Sequence, residues 1–414
     1  MTEALPQQVN YDSVPSLDPL STAREIVVRS NDQSYTANQT IVFDLNAGGF
    51  MDGKTLFLRY KVTHTNVGAV DMAGTPVYTP FSQFRLNAGS QRLEDISQYG
   101  QVCNLLVNGK YDIASKYGVQ SAFAYNEHDS IENLDGRSMA IAAGASYTCY
   151  APLPCMLSHA DKYIPMQKIG GLRIELTVDS LANMFNGTAP SAFSISNAEL
   201  VYKQVDIPAA EEMIKGKDLV LRSHTYNNTS ALLPVGTSGN ISLVYNSRLS
   251  SIRAAFILAQ GANGNKQFDA VDVTNSDGAV NIQIAGIRYP QTPLNTATNK
   301  AGILMGLKGA MRGLYADASP SINAVEFAFT EVTALAVAPT IQAPAKSYFA
   351  IDTSVLSPAA GAEKIMSGVS SQNSSVTVDF QLGTATVASH NVSLILAADV
   401  LLTVTAEGDV FVKQ

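Results

Sequence analysis

The residues of this sequence best suited to chemistry are its histidines, cysteines and closely spaced acids. Cys155 and His159 are four residues apart, with Cys149 nearby, and on a helix this spacing could supply zinc ligands. A structural zinc site needs four ligands, and Pro152 and Pro154 oppose a helix here. We therefore expect ordinary buried or surface side chains at these positions, with the thiols free.

A group of three aspartates suggests a calcium site at first sight. Asp269, Asp272 and Asp277 precede Gly278, as carboxylates precede the glycine of a calcium-binding loop. That loop needs its first carboxylate five residues before the glycine, where this chain has Val273. The spacing therefore favours a solvated loop over a cation site.

The run Glu127, His128 and Asp129 could serve as general acid and base, or bind a metal. Adjacent charges in a polar loop are more often simply solvated. The sequence has no phosphate-binding loop, no nucleophile elbow and no His-Glu-x-x-His helix. We predict no catalytic, cofactor-binding or metal-binding residues, and a protein that is not an enzyme.

The composition indicates a chain that covers much of its own surface. Of its 414 residues, 46% are hydrophobic and only 15% are charged, against about 25% in a typical soluble domain. Such a low charge favours burial against copies of itself or against partners. The alternative is a monomer whose surface is rich in Ser, Thr, Asn and Gln.

The charge distribution argues against direct binding of nucleic acid. The formal net charge is −8, and residues 1–23 contain three acidic residues and no Lys or Arg. Pro6, Pro15 and Pro19 predict an extended N-terminal arm, which is neither a secretory signal nor a transit peptide. No apolar run approaches the length of about 18 residues needed to cross a bilayer.

Alternating apolar and polar residues predict β-strands throughout the chain. Residues 172–178 place Leu172, Ile174, Leu176 and Val178 on one face and polar side chains on the other. Similar alternation recurs in both halves, without helical crossovers between strands. The sequence therefore predicts an all-β fold of two tandem antiparallel β-sandwich (jelly-roll) domains, with a few short helices in loops.

The two halves are predicted to share one order of elements. Each has strands, then a helix after its middle strands, then a final block of long strands. The first helix begins near Ile96 and is expected to end at Asn108-Gly109, and the second spans Gly302 to Tyr315. Residues 261–300, rich in Asn, Gly, Asp and Thr, are predicted to be one long loop on the outer side or at a subunit boundary.

A short helix is predicted between the halves. Pro208 suits its first position, Glu211 its first turn, and Gly216 its end. The resulting division is an N-terminal arm (1–23), a first jelly roll (24–207), a linker helix (208–217) and a second jelly roll (218–414).

Five segments carry a resemblance to a known family: residues 153–178 with Gly170-Gly171-Leu172-Arg173, residues 197–216, Tyr348-Phe349-Ala350-Ile351-Asp352, Ser367-Gly368-Val369 and Asp399-Val400-Leu401-Leu402. In their order and texture over most of the chain, they resemble double jelly-roll major capsid proteins of virophages and polinton-like viruses. Those of adenoviruses and tectiviruses are more distant.

The resemblance implies a virion protein that forms homotrimeric, pseudo-hexameric capsomers in an icosahedral shell. Its implied partners are itself, neighbouring capsomers, and penton and minor capsid proteins, with minor proteins or a membrane beneath the shell. No cofactor is implied. Two other classes stay open: a β-sandwich receptor-binding spike or lectin-like protein, and a two-domain glycan-active enzyme. The lack of Trp weakens the lectin alternative, and nothing marks a carboxylate pair for the enzyme.

Overall fold

The computed structural model describes residues 21–46, 48–64, 70–72, 74–112, 114–115, 139–141, 146–186, 192–261, 268, 270–274, 278–296, 298–315, 317–322, 346–354 and 368–413. Most of the predicted arm, the run of residues 127–129, Asp269, Asp277 and a strand predicted at residues 325–329 lie outside this range.

The first half is built from antiparallel strands of unequal length. They are β1 (Thr22–Arg29), β2 (Ser34–Tyr35), β3 (Thr40–Leu45), β4 (Phe50–His64), β5 (Val70–Met72), β6 (Phe81–Ala88), β7 (Gln91–Ser97), β8 (Met139–Ile141), β9 (Ser146–Pro152), β10 (Ile164–Pro165), β11 (Leu172–Val178), β12 (Phe185–Asn186) and β13 (Phe193–Asp206).

The second half is also built from antiparallel strands of unequal length. They are β14 (Leu219–Leu233), β15 (Gly239–Tyr245), β16 (Ile252–Gly261), β17 (Ala279–Ile284), β18 (Ile287–Asn295), β19 (Phe349–Asp352), β20 (Val376–Leu382), β21 (His390–Val404) and β22 (Val410–Lys413). The helices are α1 (Tyr99–Lys110), α2 (Leu181–Met184), α3 (Pro208–Ile214) and α4 (Lys300–Leu314).

The two halves have the same sheet topology. Two strand paths of the first half are β1-β13-β4, with β9 and β10 also on β4, and β3-β11-β6-β7. Those of the second are β14-β21-β16-β19 and β15-β20-β17-β18. With the eight principal strands of each half numbered along the chain, both halves read 1-8-3-6 and 2-7-4-5. This is the jelly-roll arrangement, so the predicted fold class is confirmed.

The core follows from the alternation seen in the sequence. Ile174 of β11 lies opposite Phe43 of β3 and Leu86 of β6, and all three are fully buried. One hydrophobic cluster contains the interior of the first half together with second-half residues such as Phe256 and Leu307. Another cluster fills the second sandwich. The two sandwiches therefore share a continuous core.

The expectation of a single loop over residues 261–300 is wrong, because the segment contains the hairpin β17–β18. Val280, Ile282 and Ile284 alternate correctly and are buried. The turn lies at Ala285 and Gly286, which both have positive φ angles of 52° and 80°, as a tight hairpin turn requires. Alanine in that conformation is not a turn signal that a sequence reveals.

The expected end of the first helix is also wrong, since α1 continues through Asn108 and Gly109 to Lys110. Both residues are buried. A Cβ atom on Gly109 would lie 2.2 Å from Cε of Met311 in α4. The glycine therefore permits close contact between the helices of the two halves. Likewise, Gly306 of α4 packs on β19, where a Cβ would lie 2.6 Å from the carbonyl oxygen of Ala350.

Candidate functional site

The described residues that were singled out for metal chemistry are not assembled into a site. Cys103, Cys149 and Cys155 are all free and buried, and burial raises the pKa of the Cys155 thiol to about 12. Asp272 accepts a hydrogen bond from the backbone nitrogen of Thr274 at 3.0 Å. Within the described ranges, no group of three or more His, Cys, Asp or Glu side chains could hold a metal ion.

The structure instead concentrates polar side chains where the two sandwiches meet, a region called the seam here. It is formed by residues 91–110 and 153–161 of the first half, and by β14, residues 300–315, Tyr348 and Asp399 of the second. Backbone groups take part in the seam as well as side chains. The backbone nitrogen of Asp161 donates to the carbonyl of Arg222, and the backbone nitrogen of Arg222 donates to the Asp161 carboxylate, both at 2.9 Å.

One part of the seam is a cluster of two imidazoles and two phenols. The rings of His159 and His224 stack with their centroids 3.8 Å apart. His159 Nε2 lies 3.1 Å from the Tyr315 hydroxyl, which is 2.7 Å from that of Tyr226. His224 Nε2 is 3.2 Å from the same Tyr226 hydroxyl. The four side chains thus join three distant segments through one hydrogen-bonded chain.

Burial keeps this cluster uncharged. It lowers the pKa of His159 to about 3, with Lys110 adding to the effect, and it lowers the pKa of His224 well below its ordinary value. Burial also raises the pKa of Tyr226 well above its usual range. Neutral imidazoles and phenols can satisfy each other without any charge to solvate.

Glu94 of β7 is a second buried group in the seam. Its carboxylate accepts hydrogen bonds from the backbone nitrogen of Met156, at 2.9 Å, and from the Thr225 hydroxyl. The residue is 2% exposed. Burial raises its pKa from 4.5 to about 7, although both hydrogen bonds lower it. Glu94 therefore connects the first sandwich to the second. Near neutral pH, its ionised form is destabilised by burial.

A third group surrounds Asp399 of β21, which is 1% exposed. Its Oδ2 accepts a hydrogen bond of 2.8 Å from the Ser251 hydroxyl. Its Oδ1 lies 3.6 Å from Arg222 and 3.7 Å from Arg253. Arg253 also donates to the carbonyl of Gly313 at the end of α4. One carboxylate thus lies close to two guanidinium groups, and Arg253 links this sheet to α4.

Side-chain amides complete the seam. Asn104 and Asn108 of α1 approach the Tyr348 hydroxyl at 3.4 and 3.3 Å. Asn228 of β14 donates to Gln98 and Gln101 at 3.2 Å each. These contacts are directional, so they fix one orientation of the sandwiches beyond what apolar burial would specify.

The seam is suited to cohesion. Its titratable groups are engaged with one another, and burial holds the imidazoles, phenols and thiols in their neutral forms. Sequence reasoning did not identify Glu94 or the histidine–tyrosine cluster, because the partners lie far apart along the chain. No helix among the described residues is long and apolar enough to span a membrane.

Apolar side chains are also exposed at the end of the second sandwich where β14 finishes. Leu232, Val235 and Val387 are 56%, 59% and 51% exposed. The last two belong to adjoining turns, since Gly236 donates to the carbonyl of Thr386 at 2.8 Å. We call these three residues the distal patch. Grouped exposed apolar residues are typical of contact surfaces.

Comparison with known proteins gives no match to any family model or curated sequence. The fold, however, is similar to that of solved viral capsid proteins over nearly the whole chain. A chain of the PBCV-1 virus capsid is 10% identical, with a TM-score of 0.63 and coverage of 97% of this chain and 98% of that one.

Two further structures extend this finding. A chain of the Sputnik virophage is 10% identical, with a TM-score of 0.61 and coverage of 100% and 93% of the two chains. The mavirus major capsid protein is 11% identical, with a TM-score of 0.54 and coverage of 100% and 96%. At these identities the similarity shows the fold. The predicted resemblance to double jelly-roll capsid proteins is thereby confirmed at that level.

Proposed function

We propose that this chain is the major capsid protein of a virus, a structural subunit without catalytic activity. The observation that carries the proposal is the repeated jelly-roll topology within a chain that matches viral capsid proteins from end to end. The same repeat supports dividing the chain into the arm (1–23), two jelly rolls (24–207 and 218–414) and a linker helix (208–217).

Repetition of one topology has a consequence for assembly. Three copies of a two-lobed chain, related by a threefold axis, present six similar lobes around that axis. Such a trimer can occupy lattice positions with six neighbours, whereas a single sandwich would need six chains. We propose pseudo-hexameric homotrimers that tile an icosahedral shell in the virion.

The seam and the distal patch support this role. A subunit that bears lattice contacts must hold its two lobes in fixed relative positions, and the shared core with its directional hydrogen bonds does so. The low charge content and the exposed apolar residues of the distal patch favour association with further copies. Penton proteins, minor capsid proteins and a membrane beneath the shell are proposed neighbours, and direct binding of nucleic acid is not expected.

The oligomeric state tests the proposal. Size-exclusion chromatography with light scattering of the purified chain is expected to give a stable particle of about 132 kDa, three times the 44.0 kDa chain. The mass should persist on dilution to micromolar concentration, as for obligate interfaces. A stable monomer at that concentration would count against the proposal.

A further inference from the structure

A groove of about 490 Å³ lies beneath the linker helix α3. Its walls include Phe50, Pro165, Ile207, Ile214 and Leu219, and so combine the end of the first sandwich, the helix and the start of β14. The volume falls within the range of about 300–1,000 Å³ typical of ligand-binding pockets. It is large enough to take several side chains.

The groove presents apolar surface that nothing in the described chain covers. Tyr163 and Val220, which also line it, are 47% and 50% exposed. Lys162 lines the same groove, and Lys215 and Lys217 are exposed just after α3. Asp218 is a carboxylate in the lining, and it accepts a hydrogen bond of 2.8 Å from the backbone nitrogen of Ala406.

The described chain begins beside this groove. In the register of β1 on β13, Thr22 pairs with Asp206, so the next residue along β13, the groove residue Ile207, lies past the start of β1. On the other side of β13, Val205 pairs with Phe50, another groove residue. The polypeptide that precedes Thr22 therefore leaves the sheet at the end where the groove opens.

The sequence before Thr22 suits the groove in length and chemistry. Twenty residues, extended, reach up to about 70 Å. Apolar residues are spread through them, among them Leu5, Val9, Tyr11, Val14, Leu17 and Leu20, with three acidic residues and no Lys or Arg. The apolar side chains of this segment match the apolar walls of the groove.

We propose that residues 1–20 fold back into this groove in the same chain. Attachment at Thr22 gives the segment an effective concentration near the groove in the millimolar range or above, so even weak contacts keep it there. Docking covers Tyr163 and Val220 and ties the N-terminus to the linker between the two sandwiches. This inference does not depend on the proposed capsid role.

Photo-crosslinking on the full-length chain tests the proposal. The variant Tyr163→p-benzoylphenylalanine is irradiated in a mixture of ¹⁴N- and ¹⁵N-labelled chains, and crosslinked peptides are identified by mass spectrometry. We expect crosslinks to residues 1–20 within one isotopic form. The same group at Val387, in the distal patch, should give none to that segment.

Matched variants on the linker helix sharpen the result. Ile214→Glu places a carboxylate in the groove against the acidic segment and is expected to lower the crosslink yield at least about tenfold, equivalent to 1.4 kcal/mol. Met213→Glu adds the same charge one residue earlier, at a side chain that is 68% exposed, and should leave the yield unchanged. The proposal would be overturned if residues 1–20 were crosslinked only between isotopic forms. It would also be overturned if the probe were crosslinked to another segment, or to no peptide at all.

Discussion

Replacing Asp399 by alanine is expected to destabilise the chain by about 3–5 kcal/mol, the usual loss when one partner of a buried ion pair is removed. The substitution removes the carboxylate that lies 3.6 Å from Arg222 and 3.7 Å from Arg253, whose side chains are only 16% and 15% exposed. It also removes the acceptor of the Ser251 hydroxyl. Arg253 donates to the end of α4, and Arg222 lies in the seam, where its backbone bonds to Asp161 of the first half. The substitution is therefore expected to weaken the contact between the two sandwiches.

Thermal unfolding at fixed protein concentration measures this effect. The melting temperature of Asp399→Ala should fall by about 3–6 °C, given the unfolding entropy of a chain of this size. Asp379→Ala is the matched control, because Asp379 accepts a hydrogen bond from Ser242 in an exposed position. Its change should stay within about 0.5–1 kcal/mol. Equal, small changes in both variants would contradict the structural role given to Asp399.

Replacing Glu94 by glutamine is expected to stabilise the chain at pH 8. Folding raises the pKa of this carboxyl from 4.5 to about 7. The stability linked to it is therefore fully present below pH 4.5 and lost as the pH rises through 7. Above pH 7, ionisation of the buried Glu94 carboxyl lowers the free energy of unfolding by up to about 3 kcal/mol. Glutamine avoids it, since its oxygen can accept from Met156 and its amide can donate to Thr225.

Unfolding measured from pH 4 to pH 8 checks the sign and the window. Glu94→Gln should be more stable than the parent chain at pH 8, and the difference should shrink toward zero near pH 4. The contributions of His159 and His224 are common to both proteins and cancel. Glu212→Gln, at an exposed position of α3, should show no such trend. A destabilised Glu94→Gln at pH 8 would contradict a costly buried carboxylate.

Much of the fold could be predicted because one face of each strand is buried and the other is not. The predicted strand at residues 172–178 is β11, and its alternate residues are buried as the pattern requires. The linker helix could be predicted from the residues that start and stop helices. Pro208 stands at its start, and Gly216, with a φ of 69°, follows its end. Local rules suffice where a residue's role depends on its immediate neighbours.

The errors occur where distant contacts decide the role of a residue. In the sequence, Gly109 looks like a residue that ends a helix. In the structure it lies within the helix, and the absence of a side chain makes room for Met311 of the other half. The β17–β18 hairpin could not be recognised from composition, because the short alternating strand β17 is surrounded by Asn, Gly and Pro residues that are typical of loops.

The seam could not be predicted for the same reason. Thr225 lies 131 residues from Glu94, and Tyr315 lies 156 residues from His159. No local pattern relates these positions, and a buried glutamate or histidine looks the same in sequence as a solvated one. Only the packing of one jelly roll on the other brings the side chains together.

Electron microscopy of the purified particle tests the central claim most directly, namely that two fused jelly rolls act as two of six lobes in a threefold assembly. Class averages viewed down the symmetry axis are predicted to show a nearly hexagonal outline with six lobes of similar size. Dispersed two-lobed particles, or rings with a number of lobes other than six, would contradict it.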